Sequence, residues 1–162
     1  MAILDIHNDN PLLDGRQSDR AMLVRKGVQI LMHEMRLAVL PELSLAGGRR
    51  ADLICLSDKG DITIVEIKTS IEDFRVDRKW PEYLDHCDTF YFATHKGVPL
   101  EIFPETCGLI LSDGYGAHIV REASENRLAA SRRKAITLNF SRTAAERLMR
   151  AEWAAARTPT GE

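Results

Sequence analysis

The sequence predicts a mixed α/β domain with one central β-sheet flanked by helices. Three observations support this prediction. Apolar runs of strand length alternate with segments of helical periodicity along the chain. The 162 residues suit one domain with a substantial core. The composition, 44% hydrophobic and 28% charged, is typical of a soluble globular protein. We expect the domain to span residues 18–157, with an irregular arm at 1–17 and a disordered tail at 158–162.

The first helix is predicted to begin after Ser18, a good N-cap, and to run to about Val39, where Pro41 stops it. One face carries a stripe of apolar residues at helical spacing: Val24, Val28, Leu31, Met35 and Ala38. Glu34 falls inside this apolar arc, where a carboxylate is costly unless it has a partner. The alternative is that Glu34 lies at the edge of the stripe and reaches solvent.

Two apolar runs after the segment "ELSLAGGRR" predict a β-hairpin. The runs "ADLICLS" and "DITIVEIKT" are joined by Asp58-Lys59-Gly60, a three-residue turn that ends in glycine. The expected register sets Ile54 opposite Ile64 and Asp52 opposite Glu66. Residues two apart in a strand share a face, so Lys68 lies on the same face as Glu66.

The rest of the chain supplies the remaining elements of the sheet and its cover. Pro81 opens a helix, "TFYFAT" is a strand, and "GLILSD" with "AHIVREA" forms a second hairpin. A short strand is predicted at 135–138. Ser141 is expected to cap a last helix, with Leu148 and Trp153 on or near its buried face.

Charge and cysteine usage limit the class of protein. The net charge is −2, but segment 120–157 holds nine Lys or Arg residues and only four Asp or Glu residues. Such a basic region can attract an anionic partner, although a solvated helix face is the alternative. Three cysteines without C-x-x-C spacing indicate a reducing compartment. We find neither a signal peptide nor an apolar run long enough to span a membrane, so a cytoplasmic protein with no membrane partner is expected.

Three carboxylates, Glu34, Asp52 and Glu66, converge if the first helix packs over the first hairpin. Convergent acids repel one another unless a cation lies between them, and a hard divalent cation prefers oxygen ligands. Lys68 on the same face can then hold water or stabilise charge on a phosphate. The alternative is a simple ion pair between Glu66 and Lys68 at the end of the sheet.

This arrangement resembles the PD-(D/E)xK nuclease superfamily. The matching residues are Glu34 on the helix, Asp52 in "RRADL", and Glu66-Ile67-Lys68 in "VEIKTS". The resemblance implies a restriction-endonuclease-like core. It also implies Mg²⁺ or Mn²⁺ held by Asp52, Glu66, the carbonyl of Ile67 and often Glu34, with Lys68 activating water. Ala51 stands where the superfamily often has proline before the aspartate.

A second likeness covers nearly the whole chain. The segment from "GRRADL" to "CDTFYFA", and above all "DRKWPEY" within it, resembles the MmcB-like DNA-repair family of alphaproteobacteria. This resemblance implies a role in DNA damage repair in the cytoplasm. Seven residues near the cluster are candidates for DNA binding: Arg49, Arg50, Arg75, Arg78, Lys79, Trp80 and Tyr83. The alternatives are that both aromatic rings pack against the sheet and that the arginines at 49 and 50 are merely solvated.

Two functional hypotheses therefore remain open. The first is a Mg²⁺- or Mn²⁺-dependent DNA nuclease. The second is a catalytically silent module that binds DNA or a partner protein of a repair complex. Either form is compatible with a homodimer.

Overall fold

A computed structural model describes residues 18–157. The predicted arm at 1–17 and tail at 158–162 lie outside the described residues. The centre of the fold is a six-stranded mixed sheet in which the strands lie side by side in chain order. Its strands are β1 (Ala38–Ser44), β2 (Arg50–Leu56), β3 (Ile62–Ile67), β4 (Thr89–Thr94), β5 (Gly108–Ser112) and β6 (Ala117–Arg121). The central strands β3, β4 and β5 are parallel, and the outer pairs are antiparallel.

Helices cover both faces of this sheet, which confirms the predicted fold class. They are α1 (Asp19–Glu34), α2 (Ile71–Val76), α3 (Ala130–Arg157) and two 3₁₀ helices, Trp80–His86 and Leu100–Ile102. Helix α1 packs one face with Val24, Val28 and Met32. The opposite face packs against the first 3₁₀ helix and α3. Among the described helices, none is long and apolar enough to cross a membrane.

The first hairpin has the predicted register, since Ile54 pairs with Ile64 and Leu53 with Val65. Its turn closes where the N–H of Gly60 donates to Ser57, and Gly60 adopts a φ of 86°. This is the left-handed conformation that a glycine adopts without strain. Successive side chains of the two strands alternate between the hydrophobic cores on the two faces of the sheet. Glu66 and Lys68 therefore lie on the face opposite to the one that packs on α1.

The predicted end of the first helix is wrong. Helix α1 ends at Glu34, and Pro41 lies inside β1. Arg36 has a φ of 61°, and the N–H of Leu37 donates to the carbonyl of Met32, a hydrogen-bond pattern that terminates helices. Proline is tolerated in β1 because this strand lies at the edge of the sheet, where a missing N–H costs little.

The predicted last helix is present, but its predicted start, the strand before it and its predicted buried residues are wrong. Helix α3 already begins at Ala130, so there is no strand at 135–138. Ser141 lies inside the helix, and its hydroxyl donates back to the carbonyl of Thr137. Leu148 and Trp153 are 63% and 56% exposed, and the buried residues of α3 lie near its start. The short run "AITL" fits both the strand and the helical period, so its pattern does not decide between them.

Substituting Gly27 by alanine is expected to destabilise the fold. A Cβ atom at this position would lie 2.1 Å from the Ser112 hydroxyl and 2.5 Å from the carbonyl oxygen of Gly116. Helix α1 must therefore shift away from the β5–β6 turn, at a cost of about 1–3 kcal/mol. Thermal unfolding measures this effect. The exposed Lys26→Ala substitution in the same helix is the control, and equal stability of the two variants would contradict the close approach.

Candidate active site

The predicted acids of the hairpin meet at one end of the sheet. Asp52 lies near the start of β2 and Glu66 near the end of β3. The backbone N–H of Asp52 donates to the Glu66 carboxylate at 3.1 Å. In return, the N–H of Ile67 donates to the Asp52 carboxylate at 2.8 Å. Each carboxylate is thus fixed by the backbone of the other strand, and the pair is preorganised by the hairpin register.

Lys68 follows directly after β3 and shares the face of Glu66. Its side chain is buried, and its Nζ lies 3.6 Å from the Glu66 carboxylate. A shorter contact, 2.8 Å, joins Nζ to the carboxylate of Asp77. Asp77 is the C-cap residue that directly follows α2, and the hydroxyl of Ser70 caps the start of that helix. Asp77 could not be identified from the sequence, because its contact with Lys68 depends on the short length of α2, which brings the chain back beside the lysine.

Burial and mutual repulsion raise the pKa values of both acids. Burial raises the pKa of Glu66 well above its usual value, and the negative charge of Asp52 raises it further. Burial likewise raises the pKa of Asp52, although the Ile67 N–H and Lys68 oppose the shift. Burial alone would lower the pKa of Lys68, but Glu66 and Asp77 raise it above its ordinary value. The lysine therefore stays charged between acids that it neutralises incompletely.

Two further groups border this cluster. Asp73, in α2, accepts a hydrogen bond from the N–H of Thr69 and adds negative charge near Asp52. Thr94 ends β4, and the pairing of Ile67 with Ala93 places it beside Lys68 on the same face. The Thr94 hydroxyl is fully buried and has no hydrogen-bond partner among the described residues. An unpaired polar atom thus borders the acid–lysine cluster.

The prediction that Glu34 lies within the apolar arc of the first helix is wrong. Glu34 is exposed at the last position of α1, because the buried face of this helix comprises Val24, Arg25, Gly27, Val28 and Met32. The structure does not place it among the contacts of Asp52 and Glu66. Its proposed metal contact therefore has no support from burial.

A buried cation of α1, Arg25, interacts electrostatically with Asp52 instead. It is 6% exposed, and burial lowers its pKa while Glu42 and Asp52 oppose that shift. Glu42 is buried in β1 and has a φ of 54°. The residues on either side of it in β1 pair with Leu53 and Ala51 of β2. In this register Glu42 stands opposite Asp52. Glu42 could not be identified from the sequence, because the pattern of the segment "ELSLAGGRR" fits both a short strand and a loop.

The oxygen donors of the cluster fit a hard divalent cation. Mg²⁺ usually binds one or two carboxylates and completes its shell with waters and phosphate oxygens. Asp52 and Glu66 provide two carboxylates with raised pKa values, as expected for acids that lack a sufficient counter-charge. The carbonyl of Ile67 faces the same side as its N–H, which donates to Asp52. Within residues 18–157, no group of three His, Cys, Asp or Glu side chains is arranged to hold a metal, so the fit rests on two acids.

The candidate DNA-binding cations lie around this end of the sheet. Arg49 contacts Glu82 at 3.0 Å and lies 4.0 Å from Asp77, the partner of Lys68. The other four basic candidates are exposed: Arg50, Arg75, Arg78 and Lys79. Exposed cations here can reach an anion without loss of packing.

The two aromatic candidates pack against the sheet. Trp80 and Tyr83 both stack on Phe90, with ring centroids 5.8 and 5.9 Å apart from it. The hydroxyl of Tyr83 donates to the carbonyl of Arg50, and its side chain is buried. These contacts agree with the packing alternative that the sequence left open, and they leave no face of Tyr83 for a base.

Fold and site together define an α/β protein whose mixed sheet carries an acid–lysine cluster at one end of its first hairpin. The family described as DNA repair protein MmcB-like matches residues 8–155. The chain belongs to this MmcB-like family, and the family name indicates a role in DNA repair.

The chain is also similar to a solved structure. The structure of a protein of unknown function from Silicibacter pomeroyi shares 35% sequence identity and superposes with a TM-score of 0.80. The match covers 90% of this chain and 97% of the other. No curated protein matches the sequence. The fold is therefore shared with a solved relative, while the chemistry must be argued from the site.

Proposed function

We propose that this protein is a cytoplasmic DNA-repair nuclease of the PD-(D/E)xK type, which hydrolyses phosphodiester bonds with Mg²⁺ or Mn²⁺. The observation that carries the proposal is the carboxylate pair of half-buried Asp52 and buried Glu66, with raised pKa values beside Lys68. Buried acids of this kind are costly to the fold and are typical of functional sites. The membership in a DNA-repair family supports DNA as the substrate.

Each residue of the cluster has a role in this proposal. Asp52, Glu66 and the carbonyl of Ile67 would hold the divalent cation. When bound, the cation lowers the pKa of a bound water and neutralises charge on the phosphate. Lys68 holds the attacking water or the scissile phosphate through its ammonium group. The short contact to Asp77 means that Lys68 must exchange this partner, at least in part, when the phosphate arrives.

The exposed cations position the DNA backbone. Arg49 and Arg50 precede Asp52 on the hairpin, and Arg75, Arg78 and Lys79 lie in or just after α2. They flank the cluster from two neighbouring elements of the same sheet end. Contacts of this kind supply affinity without sequence specificity and weaken as salt rises.

A cleavage assay tests the proposal. Purified protein with Mn²⁺ or Mg²⁺ is incubated with single-stranded, duplex, flapped and abasic DNA. We expect cleavage of at least one form, its loss with EDTA, and its loss in Asp52→Asn. The matched control is Asp58→Asn, an exposed aspartate in the turn at the other end of the same hairpin. Absence of cleavage of every DNA form, or equal activity of the two variants, would refute the proposal.

Manganese is expected to stabilise the native protein against heat. A ligand that binds only the folded state adds about 2.7 kcal/mol at a concentration of 100 times its Kd. Thermal unfolding with increasing Mn²⁺ should therefore raise the Tm of the native chain and of Asp58→Asn, but not that of Asp52→Asn. A Tm that does not respond to Mn²⁺, or responds equally in Asp52→Asn, would argue against the metal site.

The catalytically silent module stays a second candidate because of one observation. Lys68 is already paired with Asp77 at 2.8 Å, and both acids accept backbone hydrogen bonds, so the cluster is closed by its own groups. A binding module of this kind holds DNA or a repair partner without a metal. Salt-dependent DNA binding in EDTA that is unchanged in Asp52→Asn, with no cleavage, would favour it over the nuclease.

A further inference from the structure

A second concave site lies away from the acid–lysine cluster. A cavity of about 640 Å³ lies between the first half of α1, the residues that follow β4, and the β5–β6 turn. This volume is in the range of small-molecule sites. Asp52, Glu66 and Lys68 do not line it. The cavity is therefore a separate feature of the fold.

The charged groups around this cavity favour an anion. Two cations, Arg20 and Lys96, line it together with the imidazole rings of His95 and His118, and the four residues come from three different elements. Asp113 is the single carboxylate among the lining residues, and its Oδ1 accepts the N–H groups of Tyr115 and Gly116 in the turn, each at 2.9 Å. Its charge is thus partly compensated by the turn itself. The cations outnumber the acid, and a phosphate group is a suitable partner for such a set.

The same cavity also has apolar walls. Leu23 is 58% exposed although it is a large aliphatic residue, and Val24 and Leu111 line the cavity beside it. A site that presents exposed apolar surface next to cations suits a ligand that carries both a charge and an apolar ring.

We propose that this cavity binds a nucleoside monophosphate group. The phosphate contacts Lys96 and His118, and the base lies against Leu23 and Leu111. The group has two possible sources, a free mononucleotide or the phosphorylated end of a DNA strand. The second source rests on the proposed function, and it makes DNA with a phosphorylated end the preferred substrate.

A hydrogen bond links this cavity to the acid–lysine cluster. The N–H of Gly97 donates to Nδ1 of His95 at 3.0 Å, which leaves the ring proton on Nε2. Nε2 then donates to the carbonyl of Thr69 at 3.0 Å, and Thr69 directly follows Lys68. A ligand that contacts His95 is therefore connected to Lys68 through the hydrogen bond to Thr69 and the peptide bond between Thr69 and Lys68. This arrangement suits a DNA end that is anchored beside the cleavage site.

Binding measurements without metal test this site. Calorimetry in EDTA uses dAMP, and fluorescence anisotropy uses a short oligodeoxynucleotide with and without a 5′-phosphate. The cavity variant is Lys96→Ala/His118→Ala, in which both residues are exposed, so folding should be retained. The control is Lys59→Ala/His33→Ala, which removes the same residue types outside the cavity. We expect at least a tenfold weaker binding of dAMP or of the phosphorylated strand in the cavity variant alone.

The outcomes separate the two sources and the two proposals. Equal affinity for dAMP and the phosphorylated strand indicates a free nucleotide, and much tighter binding of the strand indicates a DNA end. The site is overturned if neither dAMP nor the oligodeoxynucleotide binds, or if both double variants weaken binding equally. It is also overturned if dAMP does not bind and the 5′-phosphate does not change the affinity for the oligodeoxynucleotide. If the native protein binds the probes but cuts no DNA, the nuclease proposal fails and the cavity proposal stands.

Discussion

Replacing Lys68 by alanine is expected to reduce metal-dependent DNA cleavage by roughly 100- to 1,000-fold, the usual effect of losing one preorganised electrostatic group. The ammonium lies 3.6 Å from Glu66 and is buried, so bulk solvent cannot easily supply a substitute cation. Initial cleavage rates at saturating Mn²⁺ measure the loss. Mn²⁺ binding should persist, because the carboxylates of Asp52 and Glu66 remain.

The alanine variant also removes the charge partner of Asp77, so a fall in stability must be separated from a catalytic defect. Lys68→Met keeps most of the volume of the side chain and serves as the second variant. Thermal unfolding shows whether each variant is folded at the assay temperature. Lys59→Ala, in the exposed hairpin turn, is the matched control. If folded Lys68→Met cuts DNA at the rate of Lys59→Ala, then Lys68 has no part in the reaction.

The hairpin that carries Asp52, Glu66 and Lys68 could be predicted because its signals are local. Two strands of alternating pattern are separated by a short turn ending at Gly60, and a shift of one residue would move every apolar side chain to the other face. The register, and with it the position of Asp52 beside Glu66, follows from that single constraint. The observed pairing of Ile54 with Ile64 confirms the prediction.

The surroundings of that hairpin could not be predicted because they depend on where helices end. Helix α1 was extended past Glu34, because the residues after it continue the apolar pattern, and only the left-handed Arg36 ends it. Glu42 lies beyond the predicted helix, in the segment "ELSLAGGRR", whose pattern does not distinguish a strand from a loop. The contact of Asp77 with Lys68 depends on the length of α2, and the position of Arg25 depends on how α1 packs. Neither the length of α2 nor the packing of α1 can be read from a local residue pattern.

Glu66→Gln is expected to reduce the rate of DNA cleavage by roughly 1,000-fold or more. The same substitution is expected to stabilise the metal-free protein. Cleavage falls because a neutral amide is a poor ligand for a hard divalent cation. Stability rises because burial and Asp52 raise the pKa of Glu66, so the folded state resists its negative charge. The amide oxygen can still accept the N–H of Asp52, and Lys68 keeps Asp77. Stabilising substitutions of this kind usually add about 0.5–2 kcal/mol.

The pH dependence gives this prediction its sign. A carboxyl whose pKa is raised on folding binds its proton more tightly in the folded state, so stability falls as pH rises from the ordinary value of 4.5 through the raised one. In EDTA, the Tm advantage of Glu66→Gln should therefore be largest above the raised pKa and vanish below the ordinary one. Glu105→Gln, at an exposed glutamate away from the acid pair, is the control. A Glu66→Gln protein that is less stable than the native chain at neutral pH would show that Lys68 already compensates both acids, and the case for a missing cation would lose its main support.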